Sequence, residues 1–233
     1  MITVKLADVP IQLNNRYPDV ETLCRGYETE EPPQLQIHVT PEEIEQERQS
    51  QDCPFSEGYL ESVCLYRKLS LEMLQFGVFL LHASVVEVDG EGYAFLAVSG
   101  TGKSTQTRLW REYFGTRARV INGDKPLVRV MEDGTCLAYG TPWCGKERMG
   151  CNASVPLKTI FFLERAAVPE CLAATEEYCV DRLFHQLLMP ENPQRMEQLL
   201  AMVDCLVAEV PSYILRCNMK LESVIAAYTA ANS

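Results

Sequence analysis

Apolar residues come in short bursts over the first 39 positions. Ile2–Leu6, Ile11–Leu13 and Leu35–Val39 read as strands, with Asn14-Asn15, Pro18 and Pro32-Pro33 as breaks. Thr40-Pro41-Glu42-Glu43 reads as a helix start: a Thr cap, Pro in the first turn and Glu three residues after the cap. The helix it opens, to Gln51, is acidic and polar, the pattern of a solvated face or a loose connection. Ser56 caps a second helix, in which Tyr59, Leu60, Val63, Tyr66, Leu69, Met73 and Leu74 keep helical spacing until Gly77. That spacing predicts a face packed on a sheet.

The middle of the chain is more apolar. Val78–Val88 reads as one strand and Tyr93–Val98 as the next, paired antiparallel across the turn Asp89-Gly90-Glu91-Gly92. A helix follows from Ser104 to Phe114, with Leu109, Trp110, Tyr113 and Phe114 on its buried side and Gly115 at its end. Ala118–Asn122 returns as a strand, so the sheet is expected to be at least partly parallel. Leu127–Met131 and Thr135–Tyr139 flank Asp133-Gly134 as a hairpin, and Lys158–Leu163 is a further strand. Beyond residue 170 the pattern is largely helical, over 172–188 and 193–207, then a strand Ser212–Leu215 and a helix from Lys220. The fold class is α/β, and the change in texture near residue 55 suggests a small β-rich accessory lobe, 1–55, before a larger unit, 56–233.

Length and charge narrow the function. A chain of 233 residues has ample core, and a net charge of −11 argues against a nucleic-acid partner. No apolar run reaches ~18 residues, so no membrane span is expected. The opening MITVKLADVP lacks a signal-peptide layout, which points to the cytoplasm. The ten cysteines are scattered without a C-x-x-C pair, the pattern of reduced, buried apolar residues. Cys144 and Cys151 flank a basic segment but have no adjacent histidine to share a metal.

The candidate chemistry sits between strand and helix, in Ser99-Gly100-Thr101-Gly102-Lys103-Ser104-Thr105. Gly100 and Gly102 let the chain turn tightly and aim backbone N–H groups at an oxyanion, and the helix behind adds the positive end of its dipole. Lys103 supplies a mobile charge for phosphates, and the Ser104 hydroxyl suits Mg²⁺. Ala97 stands where the general phosphate-loop pattern has its first glycine. Asp124, in Asn122-Gly123-Asp124-Lys125, is either a metal-holding carboxylate at a neighbouring strand end or an exposed turn residue. His82 interrupts an aliphatic run and is either a satisfied core histidine or a proton-handling group near the phosphates. Lys146 and Arg148, in the glycine-punctuated loop 140–150, form either a clamp for a phosphate or acidic acceptor or a solvated basic turn.

Taken as a set, L-L-H-A-S-V-V-E-V, A-V-S-G-T-G-K-S-T, V-I-N-G-D-K-P, A-Y-G-T-P-W followed by K-E-R-M-G, and L-K-T-I-F-F-L resemble the C-terminal catalytic domain of HPr kinase/phosphorylase over 78–165. The outer segments look more like the small HPr-kinase-like proteins of modified-peptide pathways. The resemblance implies a P-loop-containing mixed sheet flanked by helices, of the kind shared with phosphoenolpyruvate carboxykinase. It implies ATP- and Mg²⁺-dependent phosphorylation of a serine or similar hydroxyl on a protein or peptide. His82, Lys103 and Asp124 would be catalytic, Ser104 and Asp124 the metal ligands, and Arg148 the arginine near the acceptor. Relatives form rings, which leaves room for a homo-oligomer. Gly123 departs from the pattern, because the family carries an acidic residue there. A nucleotide-binding module without transfer, or a small-molecule hydroxyl kinase, stays open beside the protein or peptide kinase.

Overall fold

Asp89 and Gly90 turn the chain with φ of 54° and 86°. The computed structural model describes residues 1–51, 53–98 and 100–233. Two successive positive φ values match the twist of a two-residue hairpin. They join β5 (Ser84–Val88) to β6 (Glu91–Leu96), with Val88 opposite Glu91 as expected. Every β6 residue from Gly92 to Leu96 is buried, so both of its faces need cover. On one face lies α4 (Lys103–Phe114), whose Trp110 packs on Tyr93 and Phe95 at ring distances of 4.7 and 5.3 Å. The C-terminal helix α7 (Glu222–Ala231) adds Val224 and Ala227 to the same side. On the other face, α5 (Glu176–Phe184) and α6 (Pro193–Glu209) bring Leu183, Leu199 and Leu206 onto Ala94, Leu96 and Phe162.

The main sheet is mixed and has nine strands. Its order is β4 (Val78–Leu80), β8 (Leu127–Val130), β9 (Cys136–Tyr139), β10 (Ser154–Arg165), β6, β5 and β7 (Ala118–Asn122). β12 (Ser212–Cys217) joins β10, and β11 (Glu170–Ala173) joins β12. β10 holds the two halves together: Ser154–Pro156 pair antiparallel with β9, and later residues pair parallel with β6 and β12. A separate sheet of β1 (Ile2–Leu6), β2 (Val9–Asn14) and β3 (Leu35–His38) packs Val4, Ile11 and Leu13 on Leu60, Leu65 and Leu69 of α3 (Glu57–Glu72). Among the described residues no helix is long and apolar enough to cross a membrane.

Five expectations need correction. Val78–Val88 is two strands, because Leu81-His82-Ala83 leaves the sheet: Leu81 N–H donates to Pro126 O at 3.2 Å and His82 N–H to Gln186 O at 2.8 Å. An unbroken apolar run carries no period that marks such an exit. β5 also lies between β6 and β7, so the strand before Asp124 does not neighbour the loop's strand, although both run in the same direction. The helix expected over 172–188 is shorter, Glu176–Phe184, and residues 172 and 173 belong to β11 instead. Pro18, read as a break, occupies the first turn of α1 (Pro18–Leu23), where its missing N–H costs nothing. Helix α2 (Pro41–Gln49) has the expected capping box, yet it is no loose connection: Ile44 and Glu47 are buried, and Glu47 binds Arg67 at 2.6 Å.

Past β9 the chain folds back tightly. Gly140 N–H donates to Ala153 O at 2.9 Å, and a Cβ at Gly140 would stand 1.8 Å from Cys151 O and 2.6 Å from Ile121 O. Gly134, in the β8–β9 turn, has φ of 85° but faces only the flexible Glu209 side chain at 3.5 Å. Gly140→Ala is therefore expected to destabilise by about 2–3 kcal/mol or more in urea unfolding, because backbone must move. Gly134→Ala should cost only about 1–2 kcal/mol, the ordinary left-handed penalty. Equal midpoints for the two variants would contradict the close approach.

Candidate functional site

The loop after β6 reaches α4 through Gly100 at φ 81° and Gly102 at φ 136°. Ser99, one of the expected nucleotide contacts, lies outside the described residues. Apart from the adjacent residues, no atom of the described residues lies within 4 Å of where a Cβ would stand on Gly100 or Gly102, so the backbone angle, not space, calls for glycine. Thr101 N–H donates to Val98 O at 3.1 Å, and Arg165 at the end of β10 donates to Gly100 O at 2.6 Å. These bonds hold the loop from behind. Gly102 offers α4 no side-chain cap, so the first N–H groups of the helix keep their donors for something else. Ser104 is exposed in that first turn, and Thr105 is half-buried.

Lys103, His82 and Asp124 meet in front of this loop. The Lys103 ammonium donates to Ala97 O at 3.1 Å and stands 3.1 Å from His82 Nε2. The same Nε2 lies 3.2 Å from Asp124 Oδ1. A lysine ammonium only donates and a carboxylate only accepts, so one ring nitrogen cannot satisfy both. With Nε2 protonated the bond to Asp124 forms; with Nε2 bare the lysine takes it. His82 is half-buried, which removes the reading as a core histidine. Burial pushes the Lys103 ammonium below its ordinary range, and the nearby Asp124 charge offsets only part of this. Burial alone would raise Asp124, but the His82 hydrogen bond and the charges of His82, Lys125 and Lys103 outweigh it and hold the carboxyl low.

Asp124 is placed by a residue the sequence reading passed over. Asn122 ends β7 fully buried, and its Oδ1 accepts from Asp124 N–H and Lys125 N–H at 2.8 Å each. Its Nδ2 donates to Thr141 Oγ1 at 2.9 Å. Ser84 Oγ donates to Gly123 O at 2.7 Å, and Tyr66 OH to Lys125 O at 2.6 Å. An Asn followed by Gly-Asp at a strand end is the signature of such a side-chain turn, and it was available in the sequence. Arg165 had no comparable signal, since only the pairing of β10 with β6 brings it to the loop.

Gly123 is required by space. A Cβ there would stand 2.9 Å from Cys144 O and 3.1 Å from Met149 O, so the 144–149 turn occupies the volume a side chain would need. Gly145 of that turn lies against Asp124, with a hypothetical Cβ 2.9 Å from Asp124 Cβ. Lys146 and Arg148 are exposed on it, and neither joins His82 or Asp124 by a hydrogen bond or ion pair among the described residues. Arg148 instead lines a cleft of about 670 Å³ with Arg25, Tyr59 and Asn152, whereas His82 opens on a cleft of about 340 Å³ beside the end of α5. All ten cysteines are free. Burial raises the Cys144 and Cys151 thiols, the opposite of what a thiolate nucleophile or ligand needs. Among the described residues no three His, Cys, Asp or Glu side chains cluster as metal ligands.

Comparison with known proteins places the chain by sequence. Among solved structures, the Hpr(Ser) kinase/phosphatase from Coxiella burnetii is similar over 53% of this chain and 86% of its own. That likeness has 13% identity and a TM-score of 0.29, too slight to bear on fold or chemistry. No curated protein matches. The family model described as SynChlorMet cassette protein ScmC matches residues 61–222, which include the loop, His82, Asp124 and the 140–150 turn. This chain belongs to the ScmC family.

Proposed function

We propose that the chain is a kinase that moves the γ-phosphate of ATP to a hydroxyl, a serine in a protein or peptide. The observation that carries this reading is the meeting of Lys103, His82 and Asp124 in front of an uncapped helix start and a glycine loop. Uncapped N–H groups, a helix dipole and a lysine suit a polyphosphate. In this reading 56–233 carries the chemistry and 1–55 is accessory. Mg²⁺ would be held by the Ser104 hydroxyl and the Asp124 carboxylate, hard oxygen donors of the kind it takes. When bound it would neutralise charge on the β- and γ-phosphates.

The chain's own groups then divide the work. Lys103 turns from Ala97 O and His82 toward the phosphate oxygens, which are better acceptors for an ammonium than a carbonyl. That frees Nε2 of His82 to take the proton of the acceptor hydroxyl, while Asp124 stabilises the resulting imidazolium. The acceptor oxygen–phosphorus bond forms, the bond from phosphorus to the β–γ bridging oxygen breaks, and ADP leaves with those electrons. Lys146 and Arg148 would meet an acceptor only from the far side of the 144–149 turn. A second reading, nucleotide binding without transfer, is favoured by one feature: the packed turn leaves no room for a second carboxylate at position 123.

Binding of a fluorescent ATP analogue and transfer from γ-labelled ATP to serine peptides separate the two readings. Lys103→Ala is expected to weaken analogue binding by about tenfold or more. His82→Ala is expected to lower transfer by about 10²–10⁴-fold, with binding little changed. Unaltered binding in Lys103→Ala would remove the phosphate site; binding with no transfer to any acceptor would leave the second reading standing.

The charges also set a pH dependence of stability. Asp124 is held low in the folded protein, so its contribution is complete above the ordinary 3.8 and disappears as pH falls through the lower folded value. Denaturant unfolding should therefore show the gap between wild type and Asp124→Asn closing in acid. Lys103 is lowered by burial, so its charge costs stability in full below the folded value, and that cost fades as pH rises toward 10.5. Lys103→Met should be the more stable protein at pH 7, with its advantage shrinking in alkali. A constant advantage from pH 7 to 10.5 would show that the ammonium is not buried.

A further inference from the structure

On the face of the sheet opposite α4, a groove leads from His82 along the end of α5. Its first part, of about 340 Å³, is lined by His82, Val98, Arg182, His185 and Gln186. It continues past Val98 over Leu96 and Phe162 to the Tyr178 ring. Three features of this groove are not explained by the fold. Val98 is 68% exposed although apolar. Gln186 is only 7% exposed, yet its Oε1 has no hydrogen-bond partner among the described residues. Arg182 sits exposed with its guanidinium over Tyr178, 5.0 Å from the ring centroid; among the described residues Asp181, at 3.9 Å and itself exposed, is the one carboxylate within ion-pair reach, while Glu164 lines the same groove and accepts from the Tyr178 hydroxyl at 3.1 Å. A buried carbonyl oxygen without a donor costs stability unless something else supplies one. A backbone N–H of an extended segment is such a donor.

We infer that this groove receives the acceptor as an extended peptide, with its hydroxyl at His82 and a carboxylate within the next two residues facing Arg182 and His185. The inference rests on the kinase reading above. The chain as a whole carries a net charge of −11, so an acidic peptide is repelled by most of the surface and favoured where an exposed arginine sits at an opening; Glu164, which also lines the groove, is paired with Arg216 at 3.4 Å. Arg182 matches a carboxylate in two-pronged geometry, and its stacking on Tyr178 keeps the guanidinium in place. The apolar stretch from Val98 to Phe162 accommodates an aliphatic or aromatic neighbour. Among the described residues, none of the 144–149 turn lines the groove, so an acceptor lying in it reaches His82 without meeting that turn.

Two pools of amidated octapeptides test the inference, each with a fixed central serine and either Asp or Lys at the next two positions. Wild type with Mg²⁺ and γ-labelled ATP is expected to label the Asp pool about tenfold more than the Lys pool. Arg182→Glu should cut that preference to about twofold or reverse it, and Arg182→Lys should keep most of it. Binding of the fluorescent ATP analogue should be unchanged in both, and thermal melts should match because the residue is exposed. An unchanged preference in Arg182→Glu overturns the inference, as does nucleotide binding by wild type without labelling of either pool. Equal losses of analogue binding and labelling in Arg182→Glu also overturn it, by giving the groove to the nucleoside. Failure of wild type to bind the analogue is a separate result, which removes the kinase reading itself.

Discussion

The buried side chain of Asn122 is the constraint on which the candidate site depends. Its carbonyl oxygen takes two successive amides at 2.8 Å, and its amide nitrogen reaches Thr141 across the loop that covers the turn. Each such bond contributes about 1 kcal/mol, but removing the side chain would strand two successive amides in a partly buried turn. The larger consequence is geometric. The backbone from which the Asp124 carboxylate reaches His82 is held in place, because its N–H is tied down two residues from the end of β7. Tyr66, stacked on Trp143 at 4.2 Å, closes the same corner from α3.

Around that anchor the backbone packs too closely for side chains. The positions of Gly123, Gly140 and Gly150 leave a hypothetical Cβ at 2.9, 1.8 and 2.9 Å from the nearest atom. The 140–151 loop is therefore part of the scaffold of the site, not a mobile flap over it. This explains the departure at position 123 physically. The volume a side chain would need at 123 is filled by the 144–149 turn, and one imidazole nitrogen is shared by Lys103 and Asp124. Their competition is an electrostatic contest between a donor and an acceptor for one position, and an incoming anion would end it by attracting the ammonium.

Much of this was legible in the sequence, wherever local chemistry decides. β1, β7 and the Asp89-Gly90 hairpin fall where alternation and turn residues put them, and Thr40 and Ser56 cap their helices as read. The meeting of His82, Lys103 and Asp124 was anticipated, but through the wrong adjacency. β5 intervenes between β6 and β7, which is the adjacency misread for Asp124, whereas His82 comes to the loop's end of the sheet as expected, through the hairpin that sets Ser84 opposite Phe95. Non-local pairing of this kind leaves no mark on a largely apolar run. Asn122 left a mark that went unused. Arg165 and the α5 groove depend on how β10 and the last third of the chain return, and short-range pattern says nothing about that.

One strand belongs to two hydrogen-bond systems. β10 spends its first residues in the antiparallel half, beside β9, and its remainder between the parallel strands β6 and β12. Parallel pairing at its far end draws on a strand some fifty residues later in the chain. Neither half of the sheet can peel off while the other stays intact, since each would take the shared strand with it. The protein thus resists partial opening as a single cooperative unit, and amide protons along 155–163 should be among the last to exchange with solvent.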